Sequence, residues 1–280
     1  EGVKSLRPDL EILLEGRDGS SIPEMLDEQV AAVLINHVDY RSGTIRDMEN
    51  LTRQVQEFGG LTVWDLSHSA GIFPVQLNRC RVDFAVGCTY KYLNGGPGAP
   101  AYLYAASRHH AACNQPLSGW FGHARPFDFE RHFDPDSGIR RFVCGTQPIL
   151  SLRALQSGLE IYQDVSLQQV REKSMALTDL FIMLLKNECA AWELEIISPE
   201  DASQRGSQVA VSHPQGYAVM QALISRGVIG DFRAPNLMRF GFAPLFLSYQ
   251  DIHDAVKQLK QILESEEWNQ EAFLQKSKVT

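Results

Sequence analysis

Two short stretches carry side chains that could do chemistry together. Residues 61–65 (LTVWD) end on the carboxylate of Asp65 and run on through Leu66 and Ser67 to His68. Residues 82–89 (VDFAVGCT) lead into Tyr90, Lys91 and Tyr92, followed by the glycine-rich 94–98 (NGGPG). Both apolar stretches read as strands, and in open α/β sheets ligands bind beyond the carboxyl ends of strands. If the two strands are neighbours, Asp65, His68 and Lys91 face one crevice. An amine and a carboxylate in such a place suit pyridoxal phosphate: the amine carries the cofactor, and the carboxylate pairs with the pyridinium nitrogen. That ion pair keeps the nitrogen protonated, so the ring can accept electrons from a substrate carbanion. Burial and a nearby positive group would lower the lysine pKa and let it act as a base as well.

Each residue also has a plainer reading. A lone Asp at a strand end is usually a turn residue or a helix cap, and a lone Lys is usually a solvated charge. His68 alone is a satisfied structural histidine. The 94–98 segment alone could be any tight turn, since it lacks the spacing of a dinucleotide fingerprint or a Walker loop. The functional reading rests on the pair, on consecutive strand ends with a glycine turn after the lysine.

The surrounding pattern supplies strands and helices to hold such a pair. Residues 30–38 (VAAVLINHV) form a short β-branched apolar run and read as a buried strand. In 45–58 the apolar residues Ile45, Met48, Leu51, Val55 and Phe58 have helical spacing, with Thr44 as the expected cap and Gly59 as the stop. Residues 99–105 make a fourth strand. Strands separated by helices imply a parallel or mixed sheet covered on both faces. Residues 115–139 hold Trp120, several Phe and Gly, and Pro, without a clear period, and read as a long structured loop. Pro148 opens a helical stretch to about Glu188, broken near 164–166. Strands follow near 194–197, 208–212 and 237–242, with a helix over 216–226 that ends at Gly227. The last helix starts after Ser248, with Asp251 completing a variant capping box. The expected division is a large cofactor-binding part over 1–150, then a connecting helix and a small C-terminal α+β domain over 151–280.

Composition excludes several classes. The 280 residues are 44% hydrophobic and 21% charged, as in an ordinary globular protein. Net charge is 26 − 34 = −8, which argues against nucleic acid as a partner. The longest apolar runs, 30–35 and 180–185, are far short of the roughly 20 residues of a membrane span. The five cysteines (Cys80, Cys88, Cys113, Cys144 and Cys189) are widely spaced and form no CxxC, which fits a reduced, cytoplasmic setting. No cluster with metal-ligand spacing stands out.

Several motifs in order make a more specific statement. WDLSHSAG, CTYKYLNGGPG, PLSGWFGH, CGTQPILSL and NLMRFGFAPL together resemble kynureninase, a pyridoxal-phosphate enzyme of the class V aminotransferase group. The Asp65-x-x-His68 pair and Lys91 are common to the whole group. Tyr90 to Asn94 and Trp120 to His123 point to kynureninase itself, in its bacterial form. The similarity runs from about Val30 to the end.

The resemblance implies a fold and a set of roles. The fold would be the PLP-transferase type, like aspartate aminotransferase: a mostly parallel sheet with helices on both faces and a smaller C-terminal α+β domain. Lys91 would carry pyridoxal 5'-phosphate and move protons. Asp65 would pair with the pyridine nitrogen, with His68 beside it. Tyr90 would touch the phosphate and serve in proton transfer. Trp120 and Thr146 would complete the phosphate site from the partner subunit of a homodimer. Arg239 would clamp the substrate α-carboxylate, a task that suits a guanidinium fork. Without the resemblance, Trp120 would be read as core packing and Arg239 as half of a surface salt bridge. The implied reaction is hydrolysis of L-kynurenine or 3-hydroxykynurenine to anthranilate or 3-hydroxyanthranilate and L-alanine, in tryptophan degradation and NAD biosynthesis.

The family has a stretch of chain before the point where this sequence starts, and residues 1–30 hold no equivalent of its phosphate-binding turn. The expectation is therefore an N-terminally truncated enzyme, inactive by itself and leaving part of the sheet's apolar surface exposed. The alternatives are another class V enzyme, such as a cysteine desulfurase or aminotransferase, and an inactive fragment that acts only as a folding or binding unit. Desulfurases place His before the lysine and use a loop cysteine, whereas here Tyr90 precedes Lys91.

Overall fold

The computed structural model describes residues 2–16 and 20–276. Strands β1 (Ala32–Asn36), β2 (Leu61–Asp65), β3 (Phe84–Gly87) and β4 (Tyr102–Ala105) form one sheet in that order. The β1–β2 and β2–β3 pairs are parallel, and β3–β4 is antiparallel. Helix α1 (Met48–Glu57) crosses between β1 and β2. Helices α2 (Ile149–Glu160) and α3 (Leu167–Glu188) lead to a second sheet, made of β5 (Glu195–Ile196), β6 (Gln208–Ser212), β7 (Asp231–Arg233) and β8 (Leu237–Gly241). Its order is β5-β6-β8-β7 and every pairing is antiparallel. Helices α4 (Gly216–Ser225), between β6 and β7, and α5 (Tyr249–Glu264), after β8, pack against it.

Burial explains the first sheet. Thr62 and Trp64 of β2 and Ile35 of β1 are buried on the side of α1. There the Trp64 indole Nε1 donates to Thr52 Oγ1 of α1 at 3.0 Å, so the largest side chain of this core is also hydrogen-bonded. The pleat sends Leu34, Val63, Asp65, Val86 and Leu103 to the other face. On that face Leu34 is 73% exposed and Leu103 is also exposed, in line with the expected apolar surface.

The second core is larger. Leu177, Phe181 and Leu185 of α3, Val219 and Leu223 of α4, and Val256, Leu259 and Ile262 of α5 close over Val209, Val211 and Met238 of the sheet. The spacings along each helix are those of one apolar stripe. Ser248 and Asp251 form the expected capping box before α5. Residues 161–166, a short 3-10 turn and the Ser166 cap, separate α2 from α3, as the sequence predicts.

Two expectations are corrected. Helix α1 begins at Met48 rather than Ile45, and its cap is Asp47, whose side chain accepts from the Asn50 amide at 3.0 Å. Thr44 is instead drawn into a bridge with Arg205, and Ile45 into one with Val38, so tertiary pairing wins over local helix spacing. Strand β7 lies in a segment without a strand signal in the sequence, because Asp231–Arg233 is too short and too charged to show alternation.

Candidate active site

A cavity of about 1000 Å³ opens between the carboxyl ends of β2 and β3 and the edge of the second sheet. Asp65, His68, Tyr90, Lys91 and Arg239 all line it, and so do Asn36 and Asp231, which sequence reasoning does not single out. Trp120 and Thr146 do not. Trp120 sits in a 3-10 turn of the long loop and is 44% exposed, and Thr146 is exposed just before α2. Within one chain these two residues belong to a separate surface.

Asp65 is held from two sides. It is the last residue of β2 and lies in register with Asn36, the last of β1. Asn36 Nδ2 donates to Asp65 Oδ2 at 3.1 Å, and the Ser67 amide donates to Oδ1 at 2.8 Å. Each oxygen keeps accepting capacity after those bonds. The turn that Ser67 begins brings His68 back over the strand end.

Lys91 stands on a tight turn after β3. Asn94 N donates to Lys91 O at 3.0 Å and Gly95 N to Thr89 O at 2.9 Å. The turn requires left-handed backbone at Asn94 (φ +58°) and Gly96 (φ +72°), which these residue types tolerate. Tyr92 anchors the turn to the rest of the chain: its hydroxyl donates to Ser207 O at 2.8 Å, and its carbonyl accepts from the Tyr162 hydroxyl. The amine of Lys91 lies 3.1 Å from His68 Nε2. Burial is the main force lowering the Lys91 pKa, with Arg239 assisting and Cys88 and Asp65 opposing. Burial, then the charges of Lys91 and Arg239, push His68 down to about 4. His68 is therefore neutral at pH 7 and accepts from the ammonium. The Tyr90 hydroxyl is raised, first by burial and then by Cys88, so it stays protonated near neutrality.

Arg239 comes from β8 and is 9% exposed. Its Nε donates to Asp231 Oδ1 at 2.6 Å and its Nη2 to Asp231 Oδ2, a side-on fork between register partners of β7 and β8. Its Nη1 donates to the carbonyl of Tyr40, in the loop after β1. The plainer reading of Arg239 as a surface ion pair does not hold, because it is buried at the cavity wall. Asp231 could have been found from sequence only by pairing an isolated carboxylate with Arg239 across a hairpin, which needs the strand register first. No group of three or more His, Cys, Asp or Glu residues that could hold a metal ion occurs among the described residues. None of the described helices is long and apolar enough to cross a membrane.

The arrangement offers an amine, a fixed carboxylate, a neutral imidazole and a guanidinium in one cavity. Residues 170–259 match the family model described as kynureninase C-terminal domain. The chain is 49% identical over 263 residues to the kynureninase of Burkholderia mallei (strain SAVP1), covering 94% of this chain and 63% of that protein. With the kynureninase of Pseudomonas fluorescens it shares 48% over 259 residues, 92% of this chain and 62% of the relative. Among solved structures, the apo cysteine desulfurase of Thermococcus onnurineus NA1 superposes with a TM-score of 0.74 at 18% identity, over 87% of this chain and 62% of that one. A C-DES mutant with glycine covalently linked to its PLP cofactor gives 0.74 at 16%, over 85% of this chain and 62% of that chain. At those identities the structures speak for the fold alone, and this chain shares their α/β fold. Spanning about 63% of the length of the curated relatives it matches, the chain is similar to these kynureninases over nearly all of its own length, with about half of the aligned residues identical.

Proposed function

We propose that this chain carries the lysine-bearing part of the active site of a pyridoxal-phosphate enzyme that hydrolyses L-kynurenine to anthranilate and L-alanine, and 3-hydroxykynurenine likewise. The observation that carries the reading is the convergence of Lys91, His68, Asp65 and Arg239 on one cavity. The donor set fits the cofactor. A half-buried amine with a lowered pKa is suited to bind an aldehyde, and a carboxylate fixed by Asn36 and Ser67 is suited to face a ring nitrogen. When bound, pyridoxal phosphate supplies a protonated ring that withdraws electrons from the substrate carbons. Lys91 holds the cofactor and then moves the proton at the substrate Cα. His68, neutral and 3.1 Å from Lys91, accepts from the amine and keeps it in place. Asp65 retains the proton on the ring nitrogen. Tyr90 touches the phosphate and carries a proton, and Arg239 receives the α-carboxylate. Water would be consumed as the Cβ–Cγ bond breaks: its hydroxyl would go to Cγ, giving the anthranilate carboxyl group, and a proton would go to Cβ, giving the methyl group of L-alanine.

Trp120 and Thr146 complete the phosphate site in a homodimer, on this reading from the partner subunit. Support comes from exposed apolar side chains in the same stretches of chain: Leu117, Phe127, Phe129 and Leu150 are 67–88% exposed, and exposed apolar surface is what a partner subunit covers. The division at about residue 150, a cytoplasmic setting, and a place in tryptophan degradation and NAD biosynthesis belong to the same proposal. The desulfurase reading has less support, because that likeness is of fold at 18% identity, against 49% for kynureninase. The test uses the full-length protein that contains this chain. Fluorescence should show anthranilate released from L-kynurenine, with little sulfide from L-cysteine. Sulfide without anthranilate would overturn the reading.

A further inference from the structure

We infer that Asp231 is a positioning residue for substrate binding: it turns the guanidinium of Arg239 so that its remaining N–H groups present a fork to the substrate carboxylate. This rests on the proposed role of Arg239 as the carboxylate clamp.

A guanidinium has five N–H donors. In Arg239, Nε and one N–H of Nη2 serve Asp231, and one N–H of Nη1 serves the Tyr40 carbonyl. Two N–H groups remain, one on each Nη, and they have no partner among the described residues. Two parallel donors on adjacent nitrogens are the pattern a carboxylate accepts. Asp231 thus occupies the side-on edge, Nε and Nη2, and a ligand carboxylate is left the remaining N–H groups of Nη1 and Nη2.

Its own position is well determined. Asp231 and Arg239 are register partners on β7 and β8, and Arg233 Nη2 also reaches Asp231 Oδ2 at 3.5 Å. Gly230 lets β7 lie close: a Cβ there would stand 2.7 Å from the Arg239 carbonyl oxygen. The Tyr40 carbonyl, in the loop after β1, is steadied by Gln208 Nε2 at 3.1 Å. The clamp is therefore braced from both sheets. A lone arginine on a strand would sample several rotamers, whereas one gripped by a fork loses little further freedom on binding.

The test uses the full-length protein with its cofactor bound. Asp231→Asn keeps the shape but weakens the fork. KM for L-kynurenine should rise about tenfold to a hundredfold, the size of a lost charge-assisted contact, while kcat changes much less. Asp231→Glu should fall between the wild type and Asp231→Asn. The competitive Ki of the amine analogue lacking the α-carboxylate should stay unchanged. In an Arg239→Ala background, Asp231→Asn should add no further rise in KM. If Arg239→Lys raises KM but Asp231→Asn does not, Asp231 does not act through the clamp and the inference fails while the clamp stands. Equal weakening of kynurenine and its carboxylate-free analogue would reduce Asp231 to a structural role, and an unaffected KM in Arg239→Lys would remove the clamp and this inference together.

Discussion

The amine of Lys91 lies 3.1 Å from Nε2 of His68, and the two come from different strand ends, 23 residues apart in the chain. Burial lowers the proton affinity of both; the charge of Lys91 lowers His68 further, and that of Arg239 lowers both. A neutral imidazole and a readily deprotonated amine are what a nucleophilic lysine requires.

Lys91 is therefore expected to be the residue that bears the cofactor. Borohydride reduction of the full-length protein followed by peptide mapping should place the label on Lys91. A label on any other lysine would refute the assignment.

Asp65→Asn in the full-length protein should retain cofactor and lose most turnover, by about a hundredfold or more, since an amide cannot hold a proton on the ring nitrogen. Asn36 would still find an acceptor in the new side chain, so folding should be preserved. Cofactor content, melting temperature and kcat are the measurements, and an unchanged kcat would remove Asp65 from the site.

Gly71 supports the lysine turn from below. It adopts φ +89°, and a Cβ there would stand 2.8 Å from both the Tyr92 carbonyl oxygen and the Tyr162 hydroxyl. Gly71→Ala should destabilise the protein by about 1–3 kcal/mol through strained backbone. It should also disturb Tyr92, the residue after Lys91, so turnover should fall along with the urea midpoint. A variant with unchanged stability would show that this contact relaxes easily.

Stability should fall in mild acid. Burial lowers both His37, packed edge-on against Trp64 and Phe73, and His68 to about 4 from the usual 6.5. Between those values the unfolded chain binds protons that the folded chain refuses, so stability is full above about pH 6.5 and is lost as pH falls toward 4. Each histidine contributes at most about 1.4 kcal/mol per pH unit in that window. Urea unfolding at pH 7.5 and 5 should show the decline, and His37→Phe should flatten it. An equal decline in that variant would clear His37.

Much of the fold was legible because strand and helix periods are local. LTVWD is β2 residue for residue, QVAVS is β6, and Ser248 with Asp251 starts α5 where the capping pattern says it should. The Asp65–His68–Lys91 grouping was legible for a similar reason: parallel strands bring their carboxyl ends to one edge, so residues just past those ends must meet. Two features depended on long-range pairing. Ile45 left its helical stripe because Val38 offered a bridge, and no local propensity records that partner. Asp231 lies in a three-residue charged strand, and its place beside Arg239 exists only once β7 and β8 are in register. Residue types and their spacing were enough to name an amine, a carboxylate and a guanidinium. How the guanidinium is turned, and which of its N–H groups are already engaged, came from hydrogen bonds to a neighbouring strand and to the loop after β1, which form only when the two sheets pack together.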